Sequence, residues 1–243
     1  MTTASLDRGG TAAPRHARFV RITHWLTTAA FVALLVSGIE VLLSHPRFYW
    51  GEVGNINTAP LFSIPVPSSR ESVPTGYGVV LSDQNGWSRY LHFQAAWLVF
   101  FTGLVYLIVG VRTDHFRRNL APSASDLSWR ALRTSVAEHL RFASSAFQDA
   151  SSYNALQRLS YLVVVFLAFP FIVWTGLAMA PAFTAVFPWS VTSLGGRQSA
   201  RTLHFAAMTA LVVFTGVHVT MIRLAGFRSR MRTMVTGASE THT

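Results

Sequence analysis

Four stretches of the chain carry almost no charge over a length that matches the hydrocarbon core of a bilayer, and they leave room for little else. The first runs from about Val20 to Leu43 and is interrupted only by Glu40. The second lies between Arg89 and Arg112, with 22 uncharged residues between them. The third runs from Leu159 to Pro181, and the fourth lies between Arg201 and Arg223, with 21 uncharged residues. At 1.5 Å per residue each crosses ~30 Å of hydrocarbon as a helix. Only 12% of the residues are charged, about half the share of a soluble domain. The sequence therefore predicts an all-α integral membrane four-helix bundle, with spans at about 20–43, 89–111, 157–180 and 201–223 inside a domain covering 16–232.

Orientation follows from arginine. All 20 basic residues are Arg, and 15 of them fall on one side of the predicted spans against 5 on the other. The positive-inside rule places both termini of a multi-pass protein in the cytoplasm. The basic excess is thus a topology signal, and no nucleic-acid role is read from it. The first apolar run is too long for a signal peptide and no small-x-small cleavage site follows it, so it is read as retained. There is no cysteine, which excludes disulfides, iron–sulfur clusters on thiolates and covalently attached haem.

The connections divide the rest. Residues 45–88 form a long outer loop that opens with Phe48, Tyr49 and Trp50 and carries Pro60, Pro65, Pro67 and Pro74. It is read as a cap or docking surface. In the inner connection, segment 126–150 places Leu132, Val136, Leu140, Ala143 and Phe147 at helical spacing among Arg130, Arg133 and Arg141. That pattern predicts an amphipathic helix on the membrane surface, in contact with lipid. The tails 1–15 and 233–243 are polar and expected to be disordered. His115 and His139, in the inner connection, are read as surface residues.

Four of the 9 histidines lie inside spans: His24, His92, His204 and His218. Their depths pair. His24 starts an outward-running span, so it lies near the inner face. His92 and His204 start inward-running spans, so both lie near the outer face. His218 follows His204 by 14 residues, about 21 Å deeper and on nearly the same helix face. The result is an inner pair, His24 with His218, and an outer pair, His92 with His204. One imidazole pair at each depth, on facing helices, suits two stacked haems with bis-histidine ligation. Zinc would want three or four ligands at one depth, and a proton relay would want carboxylates in the spans.

Arginine precedes three of these histidines by three residues: Arg21 before His24, Arg89 before His92, Arg201 before His204. Haem propionates would lie at that level, where arginine pairs with carboxylates; anchoring to lipid phosphate is the alternative. Arg223 is a further candidate beside the inner pair. Gly38, 14 residues after His24, and Gly216, two before His218, would let a macrocycle approach the backbone. Gly103 and Gly110 are similar candidates. Close helix packing is the other reading of such glycines. Pro170 is expected to kink the third span.

These residues resemble the bacterial cytochrome b561-type family, the membrane cytochrome b subunits of formate dehydrogenases, nickel–iron hydrogenases and thiosulfate reductases. The likeness covers nearly the whole chain, and the two span-four histidines are its most specific element. It implies the pairs His24–His218 and His92–His204 as ligands of two haem b groups. The stretches Tyr153 to Arg158, Thr175 to Ala178 and Gly195 to Ser199 are similar to the thiosulfate-reductase-like branch. That branch implies a periplasmic molybdopterin oxidoreductase as partner. The long outer loop departs from the hydrogenase branch.

The expected function is a di-haem cytochrome b subunit carrying electrons between the periplasmic partner, docked on 45–88 and 181–200, and the quinone pool. No residue is assigned as catalytic. Quinone would react near the inner pair, with Gln157, Arg158, Tyr161 and Trp25 as candidate contacts. The alternatives are a stand-alone haem oxidoreductase taking electrons from a small reductant such as superoxide, and a haem-free transporter or membrane anchor.

Overall fold

The structure is a computed structural model, and it describes residues 16–55, 57–65, 72–75, 78–81, 86–121, 128, 130, 133 and 155–237. Four helical spans are long and apolar enough to cross a membrane: Arg18–Ser44, Trp87–Arg112, Arg158–Leu177 and Arg197–Leu224. The first is α1 (Arg18–Ser44) and the second α2 (Trp87–Arg112). The third combines α3 (Ala155–Val163), a π-helical turn over Val164–Ala168 and α4 (Phe169–Leu177). Two short helices follow, α5 (Pro181–Val186) and α6 (Trp189–Thr192). The fourth span is α7 (Arg197–Leu224), and α8 (Phe227–Thr236) closes the chain.

Lipid cannot hydrogen-bond a helix, so polar side chains inside the spans bond to their own backbone. Thr23, Thr28 and Ser37 donate to the carbonyls four residues earlier, at 2.8, 2.8 and 2.7 Å. Large apolar side chains such as Val32, Phe101, Leu104 and Val213 face outward, as helix surfaces in hydrocarbon do. Small residues mark the contacts. α1 packs along α2 through a buried cluster of Ala30, Ala95 and Val99, with Ala33, Leu34 and Phe169 against it. α4 packs against α7. Without a hydrophobic drive inside lipid, such close approach holds the bundle by dispersion.

Pro170 lies just after a π-helical turn, Val164–Ala168, a place where the third span can bend. It has no N–H to give to the carbonyl four residues back. The turn before it widens into the π segment, where the N–H of Phe169 reaches Val164. The sequence carries the third apolar stretch to Pro181. The span ends at Leu177, and Pro181 opens α5 instead.

The 45–88 connection is partly ordered and joins two spans at one end of the bundle, called the loop end here. Strands β1 (Arg47–Phe48) and β2 (Phe62–Ser63) pair antiparallel, Arg47 opposite Ser63 and Phe48 opposite Phe62. Strands β3 (Ser72–Thr75) and β4 (Gly78–Leu81) form a second antiparallel ribbon. The first ribbon covers α7: Phe48 stacks on Phe62 at 4.6 Å and lies 4.6 Å from Phe205.

The same loop caps α7 from outside. Its N-terminal residue Gly196 has no side chain to serve the orphan N–H groups of the first turn. The Gly51 carbonyl accepts from Gln198 and Ser199 at 3.0 and 3.2 Å. The Glu52 carboxylate accepts the Arg197 N–H at 3.0 Å. Ser199 Oγ in turn accepts the Gly51 N–H at 2.7 Å, and Thr202 donates to the Tyr49 carbonyl at 2.7 Å. Gly196 has φ +114°, and an added Cβ there would run into the Gly51 carbonyl carbon and oxygen.

The opposite end carries the chain termini. α8 folds back beneath α1, so residues 233–236 are helical and only Gly237 follows among the described residues. The expectation of a disordered tail from 233 is corrected there. Its carbonyls at Met234 and Val235 find partners on α1 that sequence spacing does not reveal. The expected amphipathic segment 126–150 and the tails 1–15 and 238–243 lie outside the described residues, save for 128, 130 and 133. His115 is not a plain surface residue. It is half-buried against Phe19, Tyr106 and Phe116, and that burial lowers its pKa.

Candidate functional site

The bundle brings the four span histidines together in two pairs. At the loop end, His92 on α2 faces His204 on α7, with ring centroids 6.2 Å apart and planes at 61°. Two imidazoles bound to one metal at about 2.0 Å each, with about 1.1 Å from nitrogen to ring centre, give about 6.2 Å. The spacing of the pair is compatible with two imidazoles sharing one metal. At the termini end, His218 lies close enough to His24 to act on it electrostatically. Phe214 stacks parallel to His218 at 5.9 Å, and Tyr161 meets it edge-on at 6.5 Å. Among the described residues no three His, Cys, Asp or Glu side chains converge. Pairs without a third ligand suit a macrocycle, which supplies the other four donors.

The surroundings fit an anionic, planar group at the loop end. Arg201 donates to the Arg47 carbonyl, and its guanidinium lies 5.2 Å over the Phe48 ring. Its Nε is buried with no partner. Burial, with Arg201 and Arg89 close by, pushes His45 below the usual histidine range, against a backbone hydrogen bond at Val41. A pair of propionates would pair with these cations. Arg89 itself is exposed at the start of α2.

Glycine placement fits as well. A Cβ at Gly38 would touch His92 Cε1 at 3.4 Å, and one at Gly176 would touch His204 Cε1 at 3.4 Å. Nothing lies within 4 Å of such a Cβ at Gly103 or Gly216, so close helix packing does not account for those two. Gly110 is accounted for by packing, because the Phe116 ring occupies the space beside it.

At the termini end the predicted residues take more varied roles. Arg21 donates to the Val235 carbonyl at 3.1 Å and Trp25 to Met234 at 3.2 Å, so both latch α8. Arg21 keeps a buried Nε with no partner, as does His24 at Nδ1. Arg158 reaches the Ala121 carbonyl at 3.3 Å. Arg223 is exposed. The side chain of Gln157 lies outside the described residues. An apolar cavity of about 330 Å³ opens between α3 and α7, lined by Leu159, Ser160, Val163, Val164, Leu211 and Phe214 among others.

Sequence reasoning missed Ser37 and Thr175. Ser37 Oγ lies 3.1 Å from His92 Nδ1, and Thr175 Oγ1 lies 3.0 Å from His204 Nδ1. The available signal was a hydroxyl residue directly before a glycine at the depth of the outer histidines, in spans one and three.

A four-span bundle with two half-buried imidazole pairs is the frame of a membrane haem protein. The chain belongs to the prokaryotic cytochrome b561 family, whose model matches residues 15–237. It is thus a multi-pass membrane haem subunit of the b type. A protein-methionine-sulfoxide reductase subunit, YedZ1, of Azospira oryzae is 32% identical over 86% of this chain and 90% of its own. A Ni/Fe-hydrogenase B-type cytochrome subunit of Cupriavidus necator is 26% identical over 90% of this chain and 83% of its own. No solved structure matches the chain.

Proposed function

We propose that the protein is a di-haem electron-transfer subunit of the bacterial inner membrane, with both termini in the cytoplasm. It would link a periplasmic oxidoreductase, of molybdopterin type, to the quinone pool. His92 and His204 would hold one haem near the outer face, and His24 and His218 the other near the inner face. When bound, each haem supplies a one-electron couple with both axial positions filled, which favours electron transfer over binding of dioxygen or substrate.

The observation that carries this reading is the 6.2 Å separation of the His92 and His204 rings. Arg201 and Arg89 would hold the outer propionates. The Phe48–Phe62–Phe205 cluster would keep water from the outer site. The docking surface would join the 45–65 loop to α5 and α6. The bonds from Gly51 and Glu52 to the start of α7 hold these segments side by side, and Trp50, Trp189 and Val186 stand exposed there at 60, 59 and 68%. The two relatives, named as subunits of a reductase and a hydrogenase, support a partnered role over a stand-alone one. Quinone would approach the inner pair beside Tyr161, with the apolar cavity near Phe214 as its hydrophobic seat.

The test is haem content by pyridine haemochrome, with the dithionite-reduced spectrum of the purified protein. Two b haems per chain are expected, falling to one in His92→Ala and to one in His24→Ala. A haem-free protein from haem-replete cells would overturn the reading in favour of a transporter or anchor.

A further inference from the structure

The loop-end histidines sit in matching cradles on different helices. Ser37, on α1, is wholly buried, as is Thr175, on α4. Each hydroxyl has one proton and faces main-chain carbonyls of its own helix. Ser37 Oγ lies 2.7 Å from the Ala33 oxygen and 3.3 Å from that of Leu34. Thr175 Oγ1 lies 3.1 Å from the Phe171 oxygen and 3.0 Å from that of Ile172. The imidazole Nδ1 meets the same hydroxyl at 3.1 Å for His92 and 3.0 Å for His204, and the backbone three residues before that hydroxyl, at Leu34 and Ile172, also acts on the ring.

A carbonyl can only accept, and each hydroxyl proton already has a carbonyl to go to. The assignment that leaves each hydroxyl proton on its carbonyl is Nδ1–H donating to the hydroxyl oxygen. Nε2 then keeps its lone pair. The following glycine, Gly38 or Gly176, faces the same ring: a Cβ added there would stand 3.4 Å from its Cε1. At the termini end His24 has nothing of this kind: its Nδ1 is buried without a partner.

We propose that Ser37 and Thr175 are positioning residues of the loop-end site. By accepting from Nδ1–H they fix the tautomer that leaves Nε2 of His92 and His204 free for the haem iron. They also set the ring planes and hold that haem at a lower potential than unassisted imidazoles would. The inference rests on the bis-histidine reading above. An acceptor on Nδ1–H makes an imidazole a better donor and so favours the oxidised metal. Removing it shifts the couple upward.

The experiment is a redox titration of the haem-loaded wild type, Ser37→Ala and Thr175→Val, followed optically and by EPR. The loop-end haem is identified beforehand as the one lost in His92→Ala. One carbonyl acceptor remains at each ring, so each substitution is expected to raise the reduction equilibrium of that haem about threefold, or ~28 mV at 59 mV per decade. The EPR g-maximum of the same haem should shift, the other haem should keep both values, and Ser37→Thr and Thr175→Ser should restore them. Equal movement of both haems would show general loosening and overturn the proposal. So would an unmoved loop-end haem, or conservative variants that behave like the deletions. If Thr175→Val does not accumulate, Ser37→Ala carries the test. Failure of the underlying reading is seen separately, as a wild type without two haems or a His92→Ala protein that loses none.

Discussion

Replacing Gly196 with alanine should detach the loop from the start of α7. The backbone there, φ +114° and ψ 170°, lies in a region essentially restricted to glycine, and occupying it costs another residue about 1–3 kcal/mol. The added Cβ would also meet the Gly51 carbonyl and the Glu52 nitrogen at 2.5–2.6 Å. Both are backbone atoms, so the loop must back away. The loop would then lose the bonds from Gln198 and Ser199 to Gly51, at about 1 kcal/mol each. The total is about 3–5 kcal/mol. At about 2–4 °C per kcal/mol for a chain of this size, the melting temperature in detergent should fall by roughly 6–20 °C. Trypsin should then cut faster at Arg47 and Arg197. Gly51→Ala is the control. Gly51 also has positive φ, +102°, but nothing stands within 4 Å of its Cβ, so it should carry the backbone strain without the clash. If Gly196→Ala melts with the wild type, or no lower than Gly51→Ala, the capping argument is refuted.

Other predictions concern the loop-end cations. On the proposed two-haem reading, Arg201→Gln should weaken retention of the haem assigned to His92 and His204 while leaving the other in place, measured by haem loss to apomyoglobin; equal loss from both sites would count against a propionate role. His45 bears on pH. Its lowered pKa means the fold favours neutral imidazole, so its contribution to stability is present above the unfolded value of about 6.5 and is lost as pH falls through the lower folded value. Apoprotein should therefore melt lower at acidic than at neutral pH, His45→Gln should blunt that difference, and haem loading should blunt it too by adding propionates. A pH response unchanged by His45→Gln would assign it to other groups.

The spans and the pairing of their histidines were legible because both depend on one-dimensional quantities. Charge-free length sets what can cross a bilayer, and residue count times helical rise sets depth. Arginine before histidine was legible in the same way, but its partner was not: Arg201 turned toward the loop at Arg47 and Arg21 toward the end of α8. The helical run of 233–236 was missed because α8 is polar by composition and is held by the donors Arg21 and Trp25, more than 200 residues away in sequence.

By itself, then, the sequence determined a four-helix membrane bundle and which histidines share a depth, since lipid admits so few backbone solutions. Only the tertiary structure decided what each imidazole's second nitrogen meets. A serine or threonine in a membrane helix ordinarily satisfies itself on its own backbone, as Thr23 and Thr28 do, and the glycine after Ser37 and Thr175 does not say what their hydroxyls meet. Their difference is the ring that another helix brings to within 3.1 and 3.0 Å, a fact of rotation and packing that no spacing along one chain segment contains.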